Sequence, residues 1–201
     1  MAITNGYASL AETKAALRIS DAIDDTLLEM AIESASRLID GYASRNFYSS
    51  GTATRYYVAD NEFVVQVDDL ANGTVTIRSS ESGNGQFDVT WNSDDYQLEP
   101  LNAVLDGQAW PFTNIRAIGD YLWPIEGGEA LIQVTGTWGW PALPIAIKQA
   151  CIIQASRIYK RLDSPLGVAG FGDLGAIRVS RNLDPDVEQL VMPYKRMRNF
   201  A

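Results

Sequence analysis

Residues 25–43 read DTLLEMAIESASRLIDGYA, and the spacing of their apolar members decides the fold. Leu27, Leu28, Ala31, Ile32, Ala35, Leu38, Ile39 and Tyr42 recur at steps of three and four. That spacing lays them along one stripe of an α-helix. Asp24 or Asp25 suits the start, where a carboxylate meets unpaired N–H groups and the positive end of the helix dipole. The helix is expected to end near Ser44, before a turn over Asn46–Gly51. Upstream, Ser9 and Glu12 have the spacing of a capping box, which predicts a short helix from Leu10 to Arg18.

Downstream, the composition changes at Thr52. Arg55–Val58, Phe63–Val67, Thr74–Ile77, Phe87–Trp91 and Ala130–Thr135 are rich in β-branched and aromatic residues and read as strands, with Asn114–Ile118 a weaker one. Asn72-Gly73 and Gly83-Asn84-Gly85 are turn signals between them. Trp138-Gly139-Trp140-Pro141 marks the return to helix, and Pro144 fits a first helical turn. Ile147, Cys151, Gln154/Ala155, Ile158 and Leu162 then repeat at helical spacing. Asp184-Pro185-Asp186 reads as an N-cap followed by proline, opening a last helix that Pro193 kinks or ends. The expected fold class is α+β, a bundle of about four helices with a small antiparallel β domain inserted. The expected divisions are N-terminal helices over 1–51, β domain over 52–139, and helices plus a Gly-rich loop over 140–201 completing the bundle.

Composition narrows the chemistry. The chain has 201 residues, enough for one large domain or a compact domain with an insertion, and no histidine. Triads, Cys-His pairs and His-ligated metal sites are therefore excluded. Cys151 is the only cysteine, so no internal disulfide is possible. No signal segment and no apolar run near ~20 residues is present, and the expectation is a soluble protein made and used inside a cell, with no membrane partner. The net charge of −9 is uneven: residues 51–139 hold 3 basic and 13 acidic residues, whereas residues 140–201 hold 9 basic and 5 acidic. One part repels polyanions, and another can pair with acidic surfaces.

Several patterns resemble sites. Gly170-Phe171-Gly172-Asp173-Leu174-Gly175 matches G-x-G-x-x-G, but a dinucleotide site needs a strand before it and a helix opening after it. Here a helix precedes and a β-like segment follows, so a loop or hairpin that orders on contact is expected. The acid pairs Asp24-Asp25, Asp68-Asp69 and Asp94-Asp95 read as a cap and turn residues, because neighbouring strand residues point to opposite faces. Calcium binding by Asp68, Asp69 and Asn72 would lack the EF-hand pattern. The five tryptophans between Trp91 and Trp140 read as core or interface anchors before they read as sugar-binding platforms. The expectation is no catalytic residue, no metal and no cofactor.

An ordered series remains: the two N-terminal helices closing on Arg45-Asn46-Phe47, then Gly136-Thr137-Trp138-Gly139-Trp140-Pro141, Pro144-x-x-Ile147-x-x-Ala150 and the helix end Arg157–Arg161. Asp163-Ser164-Pro165, Gly167–Gly172, Asp184-Pro185-Asp186-Val187 and Pro193-Tyr194-Lys195-Arg196 complete it. This series resembles the head-to-tail connector, or adaptor, proteins of long-tailed bacteriophages and gene transfer agents. The resemblance implies a structural virion protein that is not an enzyme. It implies a homo-oligomeric ring, usually a dodecamer, beneath the portal protein, extending the DNA channel without sequence-specific contact and docking a stopper or tail-completion protein. Its place is the virion head-tail interface, reached from the host cytoplasm during assembly. Carried over, the portal and subunit contacts fall on Gly167, Gly170, Phe171, Gly172, Arg178 and Arg181, and on Val187, Leu190, Tyr194, Lys195, Arg196 and Arg198 of a helix over Asp184–Phe200. An acidic channel wall would suit residues 51–139, since like charge keeps DNA from adhering. The competing readings are a stopper or tail-completion protein, a carbohydrate- or peptide-binding β module, and a hydrolase built on the acid pairs.

Overall fold

A computed structural model describes residues 3–71, 73–102, 104–105, 107–125, 127–161, 168–170, 176–178 and 183–196. Helix α1 (Leu10–Leu17) opens with the capping box: Ser9 Oγ accepts from the Glu12 N–H at 3.2 Å, and Glu12 accepts from the Ser9 N–H at 2.9 Å. Arg18 closes it in the left-handed conformation. Helix α2 (Asp25–Ala43) buries Leu28, Ala31, Ile32, Ala35, Ser36 and Ile39. Helix α3 (Ile145–Lys160) answers with Ile147, Ala150, Cys151, Gln154 and Ala155. The small side chains on both helices allow a close approach, and Ser36 Oγ lies 3.4 Å from Cys151 Sγ at the contact. The stripe expected on α2 is too wide. Leu27 and Leu38 are 42% and 47% exposed, because α2 meets its neighbours on one side only.

Three distant segments meet at the end of α2. The Tyr7 N–H donates to Ser36 Oγ at 3.0 Å, the Tyr7 hydroxyl donates to the Asp40 carboxylate, and the Phe47 N–H donates to the Tyr7 hydroxyl oxygen at 2.8 Å. The Phe47 ring stands edge-on to Tyr7 (5.8 Å) and to Tyr194 (5.9 Å). Helix α4 (Pro185–Val191) precedes that tyrosine, and a 3₁₀ turn over Met192–Tyr194 follows. The expected helix to Phe200 is thus shorter: Pro193 cannot donate to the α-helical ladder, and Lys195 is extended. The Arg196 N–H then donates to the Ala43 carbonyl at 2.9 Å.

Residues 3–47 and 143–196 make up this helical unit as far as it is described, and residues 48–142 form the other. The second is an antiparallel sheet in the order β4-β3-β9-β2-β8-β5, with β1 on the free side of β9. Its strands are β1 (Ser49–Tyr57), β2 (Val64–Leu70), β3 (Thr76–Ser79), β4 (Val89–Thr90), β5 (Tyr96–Glu99), β8 (Phe112–Ala117) and β9 (Ile132–Gly139). A small hairpin, β6 (Val104–Leu105) with β7 (Gln108–Ala109), stands apart from it. Strands β1, β2 and β9 run longer than the sequence indicates. β1 takes in part of the expected Asn46–Gly51 turn because Ser49 pairs with Gly139 across a bulge at Gly51. Gly136 and Gly139 are strand residues for a steric reason: a Cβ at Gly136 would sit 2.7 Å from Leu70, and one at Gly139 would sit 2.0 Å from the Tyr48 carbonyl oxygen. The core beneath the sheet joins Val65, Val67, Leu70, Ile77, Ile115 and Val134 to Trp91, Trp123 and Trp138.

Gly139 has φ +105 and no room, whereas Gly85 has φ +74 and open space. Alanine at either position carries the backbone strain, of about 1 kcal/mol. Gly139→Ala adds a collision with backbone and is expected to lower the urea midpoint well beyond Gly85→Ala. Equal midpoints in the two variants would refute the close approach.

Candidate assembly surfaces

The acid pairs do not converge. Asp24 accepts from the Tyr159 hydroxyl at 2.6 Å, while Asp25 pairs with Lys14 at 2.5 Å. Asp68 holds Arg55 at 2.7 Å, and buried Asp69 accepts from Trp140 Nε1 at 3.2 Å. Asp95 folds back onto the Asn92 N–H at 2.8 Å and leaves Asp94 exposed. Among the described residues, no group of three acids or cysteines is placed to hold a metal. Those with a partner meet a phenol, a cation, an indole or backbone within the fold.

The tryptophans are chiefly core. Trp123, Trp138 and Trp140 are at most 2% exposed, and Trp91 is 8% exposed. Trp91 and Trp123 stack at 3.8 Å, and Trp138 Nε1 donates to the Ala53 carbonyl at 2.8 Å. The guanidinium of Arg55 lies 4.5 Å over the Trp138 ring. A sugar-binding face would need an exposed indole. Trp110, the remaining one, is half-buried against Trp140 at 5.0 Å.

The G-x-G-x-x-G stretch lies between two short strands, β10 (Val168–Gly170) and β11 (Ala176–Arg178), paired antiparallel with Gly170 opposite Ala176. Among the described residues, no α-helix begins between Gly170 and Pro185. Gly170 and Arg178 occupy these strands, while Gly167, Phe171, Gly172, Arg181 and Arg198 lie outside the described residues. In α4, Asp184 accepts from the Asp186 N–H at 2.9 Å and pairs with Arg157 of α3, so the helix start is held at both of its polar ends. Val187 is fully buried in the helical core. It shapes α4 and offers no surface. Leu190, Tyr194 and Arg196 are half-buried, and exposed Lys195 holds its ammonium 4.7 Å over the Tyr42 ring.

Two exposed apolar surfaces were not read from the sequence. On α2, Leu27, Met30 and Leu38 are 42–49% exposed on the side away from α3. The spacing of 27, 30 and 38 is helical as well, so one stripe in the sequence hides two faces. In the sheet unit, Phe63, Tyr121, Leu122 and Ile125 are each about half exposed at one end of the sheet.

Residues 7–99 match the family model described as the phage gp6-like head-tail connector protein. The match spans 93 of the 201 residues, just under half of the chain. The chain shares its fold along its whole length with two chains from solved gene transfer agent necks. One is the neck of an empty particle computed with C6 symmetry, at 20% identity and TM-score 0.56, covering all of this chain and 95% of that one. The other is the neck of a native particle computed with C12 symmetry, at 17% identity and TM-score 0.55, covering all of this chain and 94% of that one. No curated protein sequence matches.

One rim contact of the helical unit titrates. Glu12 accepts from the Ser9 N–H, pairs with Lys148 at 2.9 Å and accepts from the Ser9 hydroxyl. Those contacts, the backbone one largest, lower its carboxyl from the ordinary 4.5 to about 2. A carboxyl held lower in the folded state stabilises above its unfolded value and loses that contribution as pH falls through the folded one. Because Glu12 is solvent-exposed, the effect is small and screened. Urea titrations from pH 6 to pH 2 should show wild type losing part of its advantage over Glu12→Gln across pH 4.5–2. A constant gap between the two would refute the assignment.

Proposed function

We propose that this protein works as a closed ring of twelve copies beneath the portal of a tailed particle, carrying the DNA channel onward and giving a stopper or tail component its seat. The observation that carries this reading is the correspondence of fold, end to end, with a chain of a gene transfer agent neck computed with C12 symmetry. The match of residues 7–99 to head-tail connectors supports the same place in the virion. A ring also supplies a neighbour for the outer apolar face of α2, which a lone subunit leaves to water. In this reading the sheet unit is an insertion in the helical bundle, which is built from both ends of the chain. The protein acts by shape and charge, with no catalytic step.

The portal contact is proposed for the C-terminal segment: Gly167, Gly170, Phe171 and Gly172 with Arg178 and Arg181, then Leu190, Tyr194, Lys195, Arg196 and Arg198. Val187 is withdrawn from that set, since its side chain is buried within the subunit. Light scattering of the purified protein, alone and mixed with the portal protein encoded beside it, tests the reading. The expected outcome is a ring of about twelve subunits, free or on the portal. A monomer indifferent to the portal would overturn it and favour a stopper or tail-completion role.

A further inference from the structure

Helices α2 and α3 bury their inner sides against each other, with Cys151 Sγ 3.4 Å from Ser36 Oγ and 3.8 Å from the Ile32 carbonyl oxygen. On the far side of α2 from that contact run Leu27, Met30, Ser34, Leu38 and Gly41, at steps of three and four. All five are exposed. On the far side of α3 from the same contact run Ile145, Gln149, Ile152, Ser156 and Lys160, again at steps of three and four. Ile145 is 73% exposed, Gln149 and Lys160 are exposed, and Ile152 and Ser156 are half-buried. The pair of helices thus presents an apolar stripe on each of two opposite sides. Gly41 adds an independent signal. It lies inside α2, where glycine weakens a helix relative to alanine. A Cβ there would meet nothing within 4 Å, so no neighbouring atom of the subunit accounts for the glycine. Bare backbone on an exposed helical face, on the same side as the small Ser34, lets a second helix approach closely.

The two stripes differ in charge. Helix α2 carries Asp25, Glu29, Glu33 and Asp40 against the single Arg37, and Glu29 and Glu33 flank its stripe along one side. Helix α3 has no acid at all. Its Lys148 and Arg157 pair within the subunit, and Lys160 stands exposed at the end of its stripe. We infer that the outer stripe of α2 in one copy packs on the outer stripe of α3 in the next, closest at Ser34 and Gly41, as the head-to-tail contact of the ring. The inference rests on the ring reading and names the two faces that join. Faces that differ and lie on opposite sides of a subunit repeat from copy to copy, and a fixed turn at each contact closes them into a ring. Unlike charge favours α2 on α3 over α2 on α2, where the acids of two copies would gather.

Light scattering of the full chain, with the portal present if wild type needs it, reads the mass of the assembly, and thermal melts read the subunit. Gly41→Ala is expected to melt at or above the wild-type temperature, since alanine favours the helix and its methyl has room. The same methyl, wedged into the contact, is expected to lower the apparent affinity between copies by about tenfold or more. Ile145→Asp sets an acid in a first helical turn, which the helix accepts, and brings like charge against the α2 flank. It is expected to keep the fold and lose the ring. Ser34→Cys combined with Gln149→Cys, treated with a short bis-maleimide, is expected to give a ladder of covalent oligomers. Either cysteine alone, or wild type with its buried Cys151, is expected to give none. A ring of wild-type affinity in Gly41→Ala or in Ile145→Asp would overturn the contact while the ring reading stands. Cross-linked dimers from Ser34→Cys alone would show α2 meeting α2, and the absence of a ladder from the doubly substituted ring would separate the two faces; either overturns the pairing. A wild-type chain that forms no ring, alone or with the portal, overturns the ring reading itself, and this contact with it.

Discussion

The hydroxyl of Tyr7 is the point on which the helical unit closes. It donates to Asp40 on α2 and accepts from the backbone of Phe47, where the chain leaves the bundle. Burial, then Asp40, push the phenol well above its ordinary range, so it stays protonated and remains a donor at any physiological pH. Burial likewise raises the Asp40 carboxyl, which the phenol and Arg37 partly offset. The aromatic edges of Tyr7, Phe47 and Tyr194 then lock the N-terminal segment, the exit from α2 and the C-terminal turn together.

Electrostatics divides labour along the chain. The sheet unit carries an excess of acid that the fold absorbs only in part: Asp68, Asp69 and Asp95 are engaged by Arg55, Trp140 and Asn92. Asp60 accepts from the Gln66 N–H and Glu99 pairs with Arg116, while Glu62, Asp94 and Asp120 stay exposed. The helical unit instead uses its cations internally, Lys14 on Asp25, Lys148 on Glu12 and Arg157 on Asp184.

Much of the architecture was written in local signals. The capping box at Ser9 and Glu12, the α2 periodicity and the Asp184-Pro185 start each act through neighbours within a turn, and each formed where the sequence placed it. The strand limits were less visible, because they follow from register. Ser49 is a strand residue only because Gly139, 90 positions later, lies opposite it. The surfaces were least legible. Leu27 and Leu38 share the spacing of the buried α2 residues, and nothing local tells a face that meets α3 from one that meets another subunit. Phe63 and Leu122 join only through cross-loop backbone bonds, which composition does not encode. The resemblance to connectors was carried by the order of motifs, since several of the residues it singles out act within the subunit, Val187 in its core.

The pairing of Ser49 with Gly139 has a consequence for how such a chain is assembled in time and in evolution. The sheet unit begins and ends on adjacent strands, β1 and β9, so its two ends lie side by side. To the helical bundle, the residues between α2 and α3 then act as a short splice. Loop-closure entropy grows only slowly with length in any case, and a folded insert with adjoining ends removes most of what is left. The bundle can therefore tolerate a larger, smaller or differently charged module at this splice without relearning how to fold. Residues 48–142 are the natural place for such a chain to vary while its helical unit stays constant.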